Sequence, residues 1–272
     1  MELMFITNQA DIAKEAEKAG IDRIFIDLER LGKVERQGHL DTHIANHSIE
    51  DIANIRKVVK TSKILTRINP MNKNTKEEID RVIELGADII MLPMFKRVKE
   101  VKEFVDYVGG RATTCLLLET SQALVKVEEI VKVKGIDEIH IGLNDLHLSL
   151  GLDFMFEILS SGILDYLSKV INSNNIKFGF GGIAQIGEGQ LPSEIIIREH
   201  ARLNSKMVIL SRSFHKRSKN IDELKSNIDL KEAVNKVREE YNKSKLYTEE
   251  EYHLNRQRLK EIVNQKVNEI AN

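Results

Sequence analysis

Two carboxylates in this sequence are placed where they could do chemistry together. Glu119 follows the apolar run Thr114-Cys-Leu-Leu-Leu118, and Asp145 closes the stretch Glu138-Ile-His-Ile-Gly-Leu-Asn-Asp145. Each stands at the C-terminal end of a buried-strand pattern, where a carboxylate is costly to desolvate unless a cation or hydrogen bonds compensate. The segment between them, 122–134, has the length of a helix and reads as the crossover of a βαβ unit. Neighbouring parallel strands lie roughly 4.8 Å apart, so the two carboxylates can converge on one point. Paired oxygen donors suit a hard divalent cation, Mg2+ or Mn2+, that keeps positions for water and substrate. A helix N-cap accounts for either residue alone; the pair on adjacent strands favours metal.

Further candidates accompany them. Arg67 follows another buried pattern, where an unpaired guanidinium would be costly. Pairing with Asp27 or Glu29 and a fork for a substrate carboxylate or enolate oxygen are compatible roles for it. Gly179, Gly181 and Gly182 form a glycine-rich stretch without dinucleotide-binding spacing; close ligand approach and tight barrel packing explain it equally. The segment 30–47 is long for a connection and reads as a lid or binding loop. It holds His39, His43 and His47. Surface exposure accounts for His43, whereas His39 and His47 are acid/base candidates because imidazole titrates near neutral pH.

These residues need a scaffold that gathers them. Strand patterns fall at 3–7, 23–28, 64–68, 89–94, 114–118, 138–143, 178–183 and 207–211. Helical patterns lie between them at 10–19, 49–59, 76–85, 98–108, 122–134, 154–172 and 193–203, with Gly20, Gly86, Gly109 and Gly135 as C-terminal caps. Eight such units predict an α/β fold, a (β/α)8 TIM barrel, over a doubly wound sheet. Active sites of such barrels sit at the C-terminal strand ends. Read in order, those ends carry Asp27 and Glu29, Arg67 and Asn69, Pro93, Glu119, Asp145, Gly181 and Gly182, then Ser211 and Arg212. The barrel is assigned to residues 1–218. Residues 219–272 form a C-terminal helical extension, comprising the eighth helix and a closing helix that is either a packed extension or a subunit contact.

Composition narrows the class. The chain has 272 residues, 42% hydrophobic and 31% charged, with net charge −1, which suits a soluble globular protein with a substantial core and no polyanion partner. Aromatic content of 5% without tryptophan argues against a base- or sugar-stacking platform. The lone Cys115 can form no intrachain disulfide, and neither a leader pattern nor a membrane-length apolar run is present. The expectation is a cytoplasmic protein with no nucleic-acid or membrane partner, and a homo-oligomer.

Four blocks of this sequence resemble the HpcH/HpaI aldolase and citrate lyase β-subunit superfamily. They are Phe25-Ile-Asp-Leu-Glu29, Arg67 in Thr-Arg-Ile-Asn, Gly86-Ala-Asp-Ile-Ile-Met-Leu-Pro-Met94, and Leu118-Glu-Thr120 followed by 135–151. The resemblance implies that Glu119 and Asp145 hold Mg2+ or Mn2+, that Arg67 contacts oxo-acid oxygens, and that amides around Gly142 and Asn144 receive the substrate carboxylate. Asp27 and Glu29, at the strand end beside Arg67, join the substrate-binding candidates. Two positions depart from the aldolase branch: Arg30 stands where that branch has a histidine, and Leu117 where it has a glutamine. The implied function is a metal-dependent carbon–carbon lyase or aldolase acting on a 2-oxo acid through a pyruvate-type enolate, with an aldehyde or sugar-derived acceptor. A water on the cation, His39 or His47 would move the proton. Acyl-CoA lysis or thioester hydrolysis of the citrate lyase type, and a catalytically lapsed binding barrel, stand as alternatives.

Overall fold

The structure, a computed structural model, describes residues 1–32 and 46–271. Eight strands form within them: β1 (Glu2–Ile6), β2 (Arg23–Asp27), β3 (Lys63–Arg67), β4 (Ile89–Leu92), β5 (Thr113–Leu118), β6 (Glu138–Ile141), β7 (Lys177–Ile183) and β8 (Met207–Leu210). Each pairs in parallel with the next, and β8 returns to β1 with Leu3 opposite Val208, closing the (β/α)8 barrel.

Alternation along the strands divides the core in two. Met4, Phe25, Leu65, Met91, Cys115, Leu117 and Met207 pack together inside the barrel. Leu3, Ile24, Ile26, Ile64, Ile139, Ile141, Phe178 and Phe180 belong to the larger cluster shared with the helices. The base is sealed by charge rather than by hydrocarbon. Arg23, at the start of β2 and 1% exposed, donates to both oxygens of Glu138 at 2.6 and 2.7 Å and to Glu2 at 2.6 Å. Lys177 joins Glu138 at 3.4 Å. Salt and packing below therefore leave the opposite end for a ligand.

Two expected helices are each interrupted. The segment 122–134 forms two short helices, Ser121–Leu124 and Val127–Ile130, still burying Ala123, Val127 and Ile130. Its β-branched residues Val125, Val127, Ile130, Val131 and Val133 are poor at sustaining a helix, and hydrophobic spacing does not register that weakness. The segment 154–172 divides into Glu157–Ser160 and Ile163–Ser173 at Gly162, whose φ of +93° no continuous helix allows.

After β8 the helices Ile221–Asn227 and Leu230–Ser244 follow. The second packs against Ser193–Arg202 while Arg238 donates to the Gly20 carbonyl at 2.6 Å, completing the helical ring beside β1. The closing helix Glu249–Ala271 buries only Asn255, Leu259 and Val263, and Asn255 donates to the buried Glu199 at 2.9 Å. Among the described residues, no helix is long and apolar enough to cross a membrane.

Candidate active site

A cavity of about 730 Å³ opens at the C-terminal ends of the strands. Its wall includes Asp27, His47, Arg67, Glu119, Gly142, Asn144 and Asp145. Residues up to about 120 positions apart in sequence are thus gathered by strand order alone, each supplied by a strand end or by the loop behind it.

Glu119 lies one residue beyond β5 and is 2% exposed. Its Oε1 accepts a hydrogen bond from the Met94 amide at 3.1 Å. Met94, after the β4 end, holds a left-handed φ of +55°, an unfavourable conformation for a non-glycine residue outside a packed site. On the other side, a Cβ at Gly142 would lie 2.7 Å from Glu119 Oε2. Glycine there lets the carboxylate lie against the β6 end.

Asp145 is buried in the first turn of the helix Leu143–Leu150, where the helix dipole favours negative charge. Burial pushes the Glu119 carboxyl well above its ordinary range; the Asp145 charge adds to this, Arg67 opposes it and Glu29 reinforces it. An anionic pair so close that one charge raises the other, in a pocket with oxygen donors, fits a hard divalent cation. Among the described residues, no group of three His, Cys, Asp or Glu side chains forms a metal-holding set. A cation held here by two carboxylates would keep its remaining positions for water and substrate.

Arg67 at the end of β3 is already engaged. Its Nε and Nη2 donate to the two oxygens of Asp27 at 2.8 and 2.7 Å, and Nη1 lies 3.3 Å from Glu29. The guanidinium also stands 5.7 Å from the centre of the Phe25 ring. Its fork is thus filled by Asp27, and it meets the cavity with the donors that remain. Asp27, level with Arg67 on the neighbouring strand, lines the cavity beside it, while Glu29 reaches Arg67 from beyond the end of β2. Glu29 is 2% exposed and lies outside the cavity wall, contrary to a direct substrate contact.

His47 Nδ1 accepts the Asp27 amide proton at 2.9 Å. With Nδ1 so used, the neutral ring carries its proton on Nε2. Arg30, exposed, donates to the His47 carbonyl at 2.8 Å. His39 and His43 lie outside the described residues.

His140 is a site residue that sequence reading passed over. It is fully buried on the inward face of β6, lines the cavity, and its Nε2 donates to the Gly181 carbonyl at 3.1 Å. Nδ1 has no hydrogen-bond partner. Burial is the main cause that lowers its pKa to about 4, so it is neutral. The signal was available: with Ile139 and Ile141 facing out, His140 must face in.

The sequence profile of the family described as HpcH/HpaI aldolase/citrate lyase matches residues 2–155. Among solved structures, an HpcH/HpaI aldolase from Desulfitobacterium hafniense DCB-2 is 16% identical with a TM-score of 0.62, over 77% of this chain and 85% of that one. The citrate lyase beta subunit from M. tuberculosis, complexed with oxaloacetate and magnesium, is 15% identical with a TM-score of 0.58, over 88% of this chain and 96% of its own. A curated pyruvate kinase from Agrobacterium vitis is 29% identical over 91 residues, 34% of this chain but 18% of that protein. At these identities the structures speak for the fold.

Proposed function

This chain belongs to the HpcH/HpaI aldolase/citrate lyase family, and from that premise we propose that it is a divalent-metal-dependent carbon–carbon lyase or aldolase acting on a 2-oxo acid through a pyruvate-type enolate. The observation that carries the reading is the pairing of buried Glu119 with Asp145 on one wall of the cavity. Magnesium in the M. tuberculosis citrate lyase structure is consistent with that choice of cation.

Glu119 and Asp145 would hold Mg2+ or Mn2+, which when bound supplies Lewis-acid polarisation of the oxo-acid oxygens. The chain's own groups do the rest. In the helix Leu143–Leu150 the first intrahelical bond runs from the Leu146 amide to the Gly142 carbonyl at 3.0 Å. The amides of Leu143, Asn144 and Asp145 precede it at the positive end of the helix dipole, a position that suits a substrate carboxylate.

Cleavage breaks the bond between C3 of the oxo acid and the hydroxylated carbon of the acceptor half. The hydroxyl gives its proton to a water in the cavity, its carbon becomes the acceptor carbonyl, and the electron pair stays on the oxo-acid half as an enolate, which takes a proton from water at C3. Arg67, fixed by Asp27, spreads the enolate charge without having to reorganise. Leu117 and Met155 add apolar surface to the cavity wall.

Calorimetric titration with Mn2+ tests the site. Glu119→Gln and Asp145→Asn are expected to abolish binding while leaving the barrel folded by circular dichroism. Wild-type affinity in both variants would sink the assignment.

A further inference from the structure

One stretch of the cavity's inner wall is hydrocarbon and open. Met4, Phe25, Leu65, Met91, Leu117 and Met207, which fill the barrel, are each at most 3% exposed, whereas Ile6 and Ile209 pack against them and remain only half-buried. Both line the cavity, which is where an inward-facing side chain can be exposed. They form a single patch: β1 pairs with β8, Met4 lies opposite Ile209, and Ile6 is the next inward position on β1. On the other side of Ile209 stands Gly182 of β7, which brings no side chain. A Cβ there would meet nothing nearer than 3.4 Å, so packing does not demand glycine and space adjoins the patch.

The polar groups nearest the patch have partners. Asn8, after β1, donates to Asp51 at 2.9 Å, and the hydroxyls of Ser211 and Ser213, after β8, bond each other at 2.7 Å. His140, deeper on β6, has Nε2 on the Gly181 carbonyl and Nδ1 enclosed. A ligand group lodged against Ile6 and Ile209 therefore exchanges water for hydrocarbon, which favours alkyl and penalises a hydroxyl or a charge. Topology says which part of a substrate arrives there. Arg67 comes from β3, Glu119 from the end of β5, and Asp145 from the helix after β6, whereas β1 lies four strands from β5 in the closed ring. With the carboxylate and oxo oxygen held on the β3–β6 side, C3 and its substituent extend towards β7, β8 and β1.

We propose that Ile6 and Ile209 form the specificity wall for the acceptor half of the substrate, which carries an alkyl group rather than hydroxyls or a second acid. It rests on the oxo-acid reading above for the end held by the cation and Arg67. The bond that breaks then joins C3 of the oxo acid to a hydroxylated carbon bearing a short alkyl chain, and cleavage releases an aliphatic aldehyde. The glycine-rich stretch of β7, left open between ligand approach and packing by the sequence, divides between the two. Gly179 is demanded by packing, since a Cβ there would come within 2.5 Å of the Met207 carbonyl oxygen, whereas Gly182 leaves room beside Ile209 for the chain.

Calorimetry on the full chain with Mn2+ tests this with three 2-oxo acids that lack the hydroxyl needed for cleavage: pyruvate, 2-oxohexanoate and 2-oxoglutarate. 2-Oxohexanoate extends pyruvate by methylene groups alone and is expected to bind at least about tenfold more tightly than pyruvate. It should also bind more tightly than 2-oxoglutarate, whose chain ends in a carboxylate. Ile209→Thr keeps the β-branched shape of a strand residue and should lower the gain over pyruvate to about threefold or less. Pyruvate, which ends at C3, should bind that variant as it binds wild type. No gain from pyruvate to 2-oxohexanoate, tighter binding of 2-oxoglutarate, or a full gain retained in both Ile6→Thr and Ile209→Thr would each overturn the wall. The same gain in a chain that binds no Mn2+ would support the wall while removing the metal-dependent reading. Binding of none of the three acids would overturn the wall together with the oxo-acid reading.

Discussion

Arg67 illustrates how a single side chain divides its donors. With Nε and Nη2 committed to Asp27, its position is set by a buried carboxylate and its remaining N–H groups are pre-aimed. Lysine retains the charge but loses the planar fork. Arg67→Lys is expected to lower oxo-acid turnover by at least about tenfold, roughly 1.4 kcal/mol, and unchanged turnover would leave Arg67 a structural role alone. His140 makes a different prediction, about acid. Its folded pKa of about 4 lies below the ordinary 6.5, chiefly through burial. Between those values the unfolded chain takes up a proton that the folded chain refuses, so stability falls as pH drops from 6.5 towards 4. The loss is on the order of 3 kcal/mol once pH is below both values. His200, also buried and shifted down, acts in the same direction. Urea unfolding at pH 7 and pH 4.5 should show a smaller stability difference in His140→Gln than in wild type; an unchanged difference would mean another group carries the acid sensitivity.

Among the elements, β7 does the most to shape the site. It pairs regularly with β6, but its register against β8 shifts between Gly179 and Gly182. The shift puts Gly181 at a φ of +54°, with its carbonyl on His140 Nε2. Gly179 is required for a separate reason, since a Cβ there would overlap Met207 Cγ and come within 2.5 Å of the Met207 carbonyl oxygen and 2.9 Å of His140 Nδ1. A side chain can move, whereas a ladder carbonyl cannot without opening the sheet. Gly179→Ala should therefore destabilise the chain by about 3 kcal/mol. Adding Met207→Ala should not restore it, because the carbonyl remains. Recovery of the wild-type urea midpoint in the double variant would show that the side chain alone was the obstacle.

At the scale of the whole molecule, the barrel has a sealed end and an open one. Arg23, Glu138, Glu2 and Lys177 lie at the first positions of four strands and converge at the base. Removing one partner strands a buried charge, and removing both with apolar replacements need not. Arg23→Met should cost about 3–5 kcal/mol, and Arg23→Met/Glu138→Leu should regain most of it. Thermal unfolding checks this, and a double variant no more stable than the single one would make the ions themselves indispensable.

The sequence by itself determined the order of the eight strands, the end of the barrel on which chemistry collects, and Glu119, Asp145 and Arg67 as residues of that end. Those features are local: alternation, a polar residue after an apolar run, and glycine after a helix all lie within a few positions of one another. Helix continuity was harder to read, because the breaks in 122–134 and at Gly162 depend on backbone preferences that hydrophobic spacing does not carry. What only the tertiary structure decided was which groups meet. Asp27 takes the Arg67 fork, the Asp27 amide takes the His47 lone pair, and His140 comes under the cavity against Gly181. Whether a histidine donates or accepts, and whether an arginine faces a partner or a ligand, depends on neighbours 20 to 41 residues away in the chain. Strand pairing brings them within hydrogen-bond distance, and no local pattern encodes that proximity.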